Sequence, residues 1–243
     1  MIPGSLDRHA GASALGSLDP RCKLVALLAF VVIVALLRDL NILVFALAYV
    51  LALVAISGVP ARHYAGQFAL AVPFALLGAL SVYLSAGPEF ALAMFLRIST
   101  CVLAILLLSG TTPFFDLLKG LQRLGVPRIF VNLMLFTYRY LFVISDEMGR
   151  MSVARKARGA RRGRSLLDRA AMQNISFSAG MVLVRAHERG IRMHDALRSR
   201  GFDGEIKTLS KFRVGALEMI FVVKVLAFSA LLLSAEWGVL RWA

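Results

Sequence analysis

Apolar residues in this chain fall into long runs, each ended by a short polar or Gly/Pro cluster. A membrane-spanning helix takes about 17–25 mostly apolar residues. Lys23–Leu37, Leu40–Ser57, Gln67–Ser85, Phe90–Ser109 and Val214–Ala235 reach or approach that length. The breaks are Arg38-Asp39, Gly58-Val59-Pro60, Gly87-Pro88 and Gly110-Thr111-Thr112-Pro113. The pattern predicts an all-α polytopic membrane protein with about five transmembrane helices. A helical segment is inserted before the last of them, giving three regions: 1–112, 113–213 and 214–243.

The inserted segment has a different pattern. Ile129–Ile144 is apolar but contains Asn132 and Arg139, with Arg128 before it and Asp146-Glu147 after it. A central Arg costs a true span about 2.5–3.5 kcal/mol, so this stretch is expected at the membrane interface or under the bundle. Ile175–Val184 is too short to span. Along Ser176–Leu197, Ala179, Leu183, Ala186, Gly190, Met193 and Leu197 recur every three or four residues. That is a narrow apolar stripe whose small residues permit close helix packing. A neighbouring helix around Met148–Arg162 carries Met148, Met151 and Ala154 beside Arg155, Arg158 and Arg162, and the two are expected to pack together.

Composition agrees with a bilayer as solvent. The chain has 243 residues, 59% of them hydrophobic and 17% charged, with a mean hydropathy of +0.75. Soluble domains are about 45–50% apolar and about 25% charged. The net charge is +14, and residues 147–213 carry 16 Lys/Arg against 6 Asp/Glu. Placing this basic block in the cytoplasm, as the positive-inside bias requires, puts Arg62-His63 and the N-terminus inside. The C-terminus is then outside, and among the short loops only Arg38 opposes the bias. No apolar stretch precedes residue 24, which argues against a cleaved signal peptide. Cys22 and Cys101 read as small apolar residues.

Enzymatic motifs are missing. The sequence has no G-x-x-x-x-G-K-[ST], H-E-x-x-H or G-x-S-x-G. His187 and His194 lie in a charged stretch and read as solvated or ion-paired, not as metal ligands. Arg97, in the fourth apolar run, is read as snorkelling outward or pairing within the bundle.

Two tripeptides stand out: Ala157-Arg158-Gly159 and Ser199-Arg200-Gly201. Each has a small residue, Arg and Gly at an expected helix end. Glycine there accepts the left-handed conformation that closes a helix. Arginine is favoured by the negative helix end and offers a rigid fork of donors to a carboxylate. Together they resemble the paired Ala-Arg-Gly signatures of the transmembrane T component of energy-coupling factor transporters. Residues 117–127 (LLKGLQRLGVP) and Thr137-Tyr138-Arg139-Tyr140-Leu141, followed by Asp146-Glu147, are similar to that family too, most of all to its CbiQ cobalt-transport branch.

The resemblance implies a non-catalytic subunit without a cofactor. Two coupling helices would each end in one signature, with Arg158 and Arg200 docking on an ATPase dimer (CbiO-like). Gly159 and Gly201 would allow close approach, and Ser199 departs from the family's Ala. Arg155, Arg162, Leu183, Gly190, Met193 and Leu197 would support the helices. The other implied partners are a membrane substrate-binding S component (CbiM-like) and a small accessory membrane subunit (CbiN-like). Membrane lipids surround the chain, and no nucleic acid is implied. The implied cargo is cobalt, with nickel or a vitamin as alternatives. Two rival classes are a membrane-embedded lipid-modifying enzyme, which needs a cluster of acids or His, and a basic membrane tether, in which every Lys/Arg counts alike.

Overall fold

A computed structural model describes residues 19–58, 61–159, 169–202 and 216–240. Among these residues every regular element is a helix. The helices are α1 (Pro20–Leu36), α2 (Leu40–Ile56), α3 (Ala61–Ala86), α4 (Pro88–Thr111), α5 (Phe114–Arg123), α6 (Arg128–Ala157), α7 (Arg169–Ser199) and α8 (Ala216–Leu240). The chain forms two compact units, Val126–Leu209 and the remainder, so α6 and α7 make up one unit and the other six described helices belong to the other. The short α5 belongs with the first unit, whose N-terminal part extends to Gly125.

In the first unit α1 is the central helix. It packs on α4, α5 and α8, while α2 lies against α4 and α8, and α3 lies along α4. Phe30, Val34, Leu43, Ala46, Val50, Ala104 and Val225 are fully buried in the shared core. Small residues at Ala46 and Ala104 let the backbones approach, as is common between membrane helices. Gly110 serves the same purpose in α4. A Cβ there would lie 2.9 Å from the hydroxyl oxygen of the buried Tyr64. The helix runs through Gly110 and ends at Thr111, inside the expected break, and Pro113 is the N-cap of α5.

The outward faces are apolar. Leu70, Phe74, Leu77 and Leu84 of α3 and Met219, Val223 and Leu231 of α8 are exposed. Such a surface suits lipid, and the protein is a polytopic membrane protein. Residues 64–86 of α3, all of α4 and α6, and residues 218–238 of α8 are long and apolar enough to cross a bilayer. α1 and α2, at 17 residues each, sit at the lower end of the spanning range.

Four buried or half-buried polar side chains close the helix ends of this unit. Asp19 accepts a hydrogen bond from the N–H of Arg21 at the start of α1. The Lys23 ammonium, 1% exposed, donates to the carbonyl of Thr111, the last residue of α4 (3.1 Å). Arg97 donates to the carbonyl of Leu37 at the end of α1 (2.5 Å). Glu236, 5% exposed, accepts from the N–H groups of Arg38 (2.9 Å) and Asp39 (3.4 Å) at the start of α2. Arg97 thus pairs within the bundle, one of the two ordinary roles expected for it.

Candidate functional site

The two tripeptides occupy the same place on their helices. Ala157 is the last helical residue of α6, Arg158 is its C-cap, and Gly159 has φ +84°. Ser199 is the last helical residue of α7, Arg200 follows it, and Gly201 has φ +69°. Gly159 N–H donates to the Lys156 carbonyl (3.1 Å) and Gly201 N–H to the Arg198 carbonyl (3.0 Å), three residues back in each case. Phe202 N–H adds a bond to the Leu197 carbonyl (3.0 Å). This pair of bonds after α7 is the Schellman closure, which needs a left-handed residue and so favours glycine. No atom lies within 4 Å of a Cβ built at either glycine, so conformation, not intramolecular crowding, calls for Gly.

Arg158 and Arg200 are both exposed. Among the described residues neither side chain makes an ion pair or hydrogen bond. The Ser199 hydroxyl bonds back to the Ala196 carbonyl of its own helix (3.0 Å). Arg155 turns back onto the Met151 carbonyl (3.4 Å) and is part-buried. Arg162 lies outside the described residues.

α6 and α7 run antiparallel where they meet. Tyr140 of α6 lies against the Met193 sulfur of α7. About two turns further along α6, and one to two turns back along α7, Glu147 accepts from Arg185 (2.8 Å) and Arg189 (3.3 Å). A groove of about 670 Å³ follows this seam, with Phe136, Tyr140 and Ile144 on one side and Ala186, Gly190, Met193 and Leu197 on the other. The expected stripe is used only from Ala186 onward, since Leu183 is 72% exposed. Its partner is also different from the one expected. α6 is a single helix of 30 residues, with nothing to break it between Ile144 and Met148. The apolar stretch 136–147 takes the seam, and Met148 is left 48% exposed. More apolar side chain is available there than on the Arg-rich turns that follow.

The antiparallel crossing sends the two Arg-Gly ends in opposite directions. Arg158 lies eleven residues beyond Glu147, and Arg200 eleven beyond Arg189. At 1.5 Å per residue each arm is about 16 Å long. The Glu147 contacts were not anticipated from sequence. Their signal was an acidic pair, Asp146-Glu147, beside a strongly basic block, and two arginines four residues apart on one helix face. Among the described residues no group of three or more His, Cys, Asp or Glu is placed to hold a metal ion.

Comparison with known proteins bears on this arrangement. Residues 11–210 match the family model described as CbiQ, cobalt transport protein. The chain is 32% identical over 162 residues to the cobalt transport protein CbiQ of Rhodobacter capsulatus, covering 63% of this chain and 65% of that protein. It is 27% identical over 188 residues to the nickel permease LarQ of Lactiplantibacillus plantarum, covering 76% of this chain and 66% of the relative. It is 28% identical over 171 residues to a putative fused cobalt transport protein, CbiMQ, of Methanocorpusculum labreanum, covering 61% of this chain and 28% of the relative.

Proposed function

Because the chain belongs to the CbiQ cobalt transport protein family, we propose that it is the transmembrane coupling (T) subunit of an energy-coupling factor importer. In this reading a CbiO-like ATPase dimer on separate chains closes on ATP. Its motion enters through Arg158 and Arg200 and passes along α6 and α7 to a CbiM-like substrate-binding component, with a CbiN-like subunit as accessory. The observation that carries the proposal is the repeated Arg-Gly helix end, in the same register on both helices and at opposite ends of an antiparallel pair. Two equal arms ending alike suit a two-fold symmetric partner, which presents two identical sockets.

The relative named as a fused CbiMQ supports a CbiM-type neighbour. Cobalt is the proposed cargo, ahead of nickel, because both the family model and the R. capsulatus relative carry cobalt in their names. The proposed setting is the bacterial cytoplasmic membrane, with about five spans, the N-terminus inside and the C-terminus outside. α6 then lies with the cytoplasmic coupling region, although its apolar part is long enough to cross.

Charge reversal tests the docking role. Arg158→Glu and Arg200→Glu should each abolish co-purification with the ATPase chains or metal uptake in cells. Arg164→Glu and Arg169→Glu should leave most of both intact. Equal, graded losses from all four would sink the coupling reading and favour a basic membrane tether.

A further inference from the structure

The acidic residue of the Asp146-Glu147 pair that reaches α7 has no role in the docking scheme above. Glu147 bridges Arg185 and Arg189, which are one helical turn apart on α7, at 2.8 and 3.3 Å. These two ion pairs link α6 to α7 through a single carboxylate. It sits at the end of the apolar seam nearer Arg158, directly after the Tyr140–Met193 contact and the Ile144 groove wall. The apolar seam is smooth and lined with the small residues Ala186 and Gly190. By itself such a seam tolerates sliding and rotation of one helix on the other. A carboxylate held by two guanidinium groups limits that freedom to the arc over which it keeps at least one of them, because charge-assisted hydrogen bonds to planar arginines are directional.

We infer that Glu147, with Arg185 and Arg189, is the pivot that sets the crossing of α6 on α7 and so the spacing between Arg158 and Arg200. The inference rests on the docking role of those two arginines, but the pivot itself is a property of this chain alone. The two arginines give the carboxylate two footholds along α7. α6 can turn through an arc while keeping one of them, and it loses its register only when both are lost. The arms from Glu147 to Arg158 and from Arg189 to Arg200 are equal, so rotation about this point moves both ends by the same amount. Neighbouring charges leave the pivot intact: Arg192 pairs with Glu188 on its own helix (3.8 Å).

The test measures the spacing directly in the full-length chain in lipid nanodiscs. Cys22 and Cys101 are replaced by Ala, and spin labels are placed on Lys156→Cys and Arg198→Cys, so that Arg158 and Arg200 are retained. Pulsed electron resonance then gives the distance between the helix ends. Glu147→Arg should shift the mean distance by about 5 Å or more, a turn of helix, and broaden the distribution. Exchanging the charges, with Arg185→Glu and Arg189→Glu added, should return the original distance. Glu147→Gln, which keeps one acceptor oxygen, should give an intermediate spread and guards against a variant that does not fold. An unchanged distance in both Glu147→Arg and Glu147→Gln overturns the pivot. ATPase co-purification is measured on the same variants. A shifted distance with normal ATPase binding upholds the pivot but counts against the docking reading. Lost binding at an unchanged distance overturns the pivot and leaves docking in place.

Discussion

Glu236→Ala isolates what one buried carboxylate contributes to the membrane unit. Glu236 reaches from α8 to the turn between α1 and α2 and accepts the N–H groups of Arg38 and Asp39 at 2.9 and 3.4 Å. Asp39 is the N-cap of α2 and makes no cap bond with its own side chain, while Glu236 accepts the N–H of this N-cap, as the carboxylate of a capping box does. Truncation to Ala leaves two N–H groups without acceptors at a site where the glutamate was 5% exposed. Both bonds are part-buried and Arg38 is exposed, so water takes over some of the lost pairing, and the loss should be about 1–3 kcal/mol. For a chain of this size each kcal/mol moves the melting temperature by about 2–4 °C. Thermal unfolding in detergent should therefore show a fall of about 2–12 °C. Glu236→Gln keeps one acceptor oxygen and should lose much less. Glu89→Ala, exposed in the first turn of α4, should cost at most about 1 kcal/mol. If Glu236→Ala melted with Glu236→Gln, or no lower than Glu89→Ala, the capping account would be wrong.

Two further substitutions probe glycines with different duties. Gly110→Ala places a methyl group 2.9 Å from the Tyr64 hydroxyl oxygen and should cost about 1–3 kcal/mol by overpacking. Adding Tyr64→Phe removes the closest contact, so the double variant should melt above the sum of the two single losses. Gly201→Ala forces a side chain into φ +69° and should cost about 1–2 kcal/mol, with Gly201→Asn milder. Hydrogen exchange should localise that loss, with the Phe202 amide, bonded to the Leu197 carbonyl, exchanging faster and the α6–α7 seam unchanged.

The helices of the first unit were legible because each is bounded by something local. Arg38-Asp39, Gly58 and Gly87-Pro88 end apolar runs, and α1, α2 and α3 stop within a few residues of those marks. The Arg-Gly ends were legible for the same reason, since left-handed closure is a local demand on residue type. Contacts between distant residues were not legible. Nothing near Glu236 in the sequence points to a turn 197 residues away. Nothing near Lys23 points to the carbonyl of Thr111. The helix stop falls within the expected Gly110–Pro113 cluster, but the packing duty of Gly110 was not legible, because its reason, the Tyr64 ring, comes from another helix. The seam between α6 and α7 was likewise placed too late on α6. Met148, Met151 and Ala154 have the right spacing, but the choice among apolar faces depends on which one meets α7.

A common electrostatic rule links the two units. Helix C-termini carry partial negative charge and N-termini partial positive charge. Lys23 and Arg97 each meet a carbonyl at a helix C-terminus, and Glu236 meets N–H groups at a helix N-terminus, so each buried charge lies at an end of opposite sign. Arg158 and Arg200 obey the same rule, as cations at the C-termini of α6 and α7. The difference is what the charge faces. The first three are sheltered and spent on neighbouring helices of the same chain. The last two are exposed, and among the described residues their guanidinium groups bind nothing. Gly159 and Gly201 follow directly in the left-handed conformation, and no described atom lies within 4 Å of a Cβ built at either. A guanidinium fixed at a helix end, with its donors unspent, calls for an acceptor from outside. The complementary socket should therefore offer carboxylate or carbonyl oxygens in a plane, and a second, equivalent one should serve the other end of the pair.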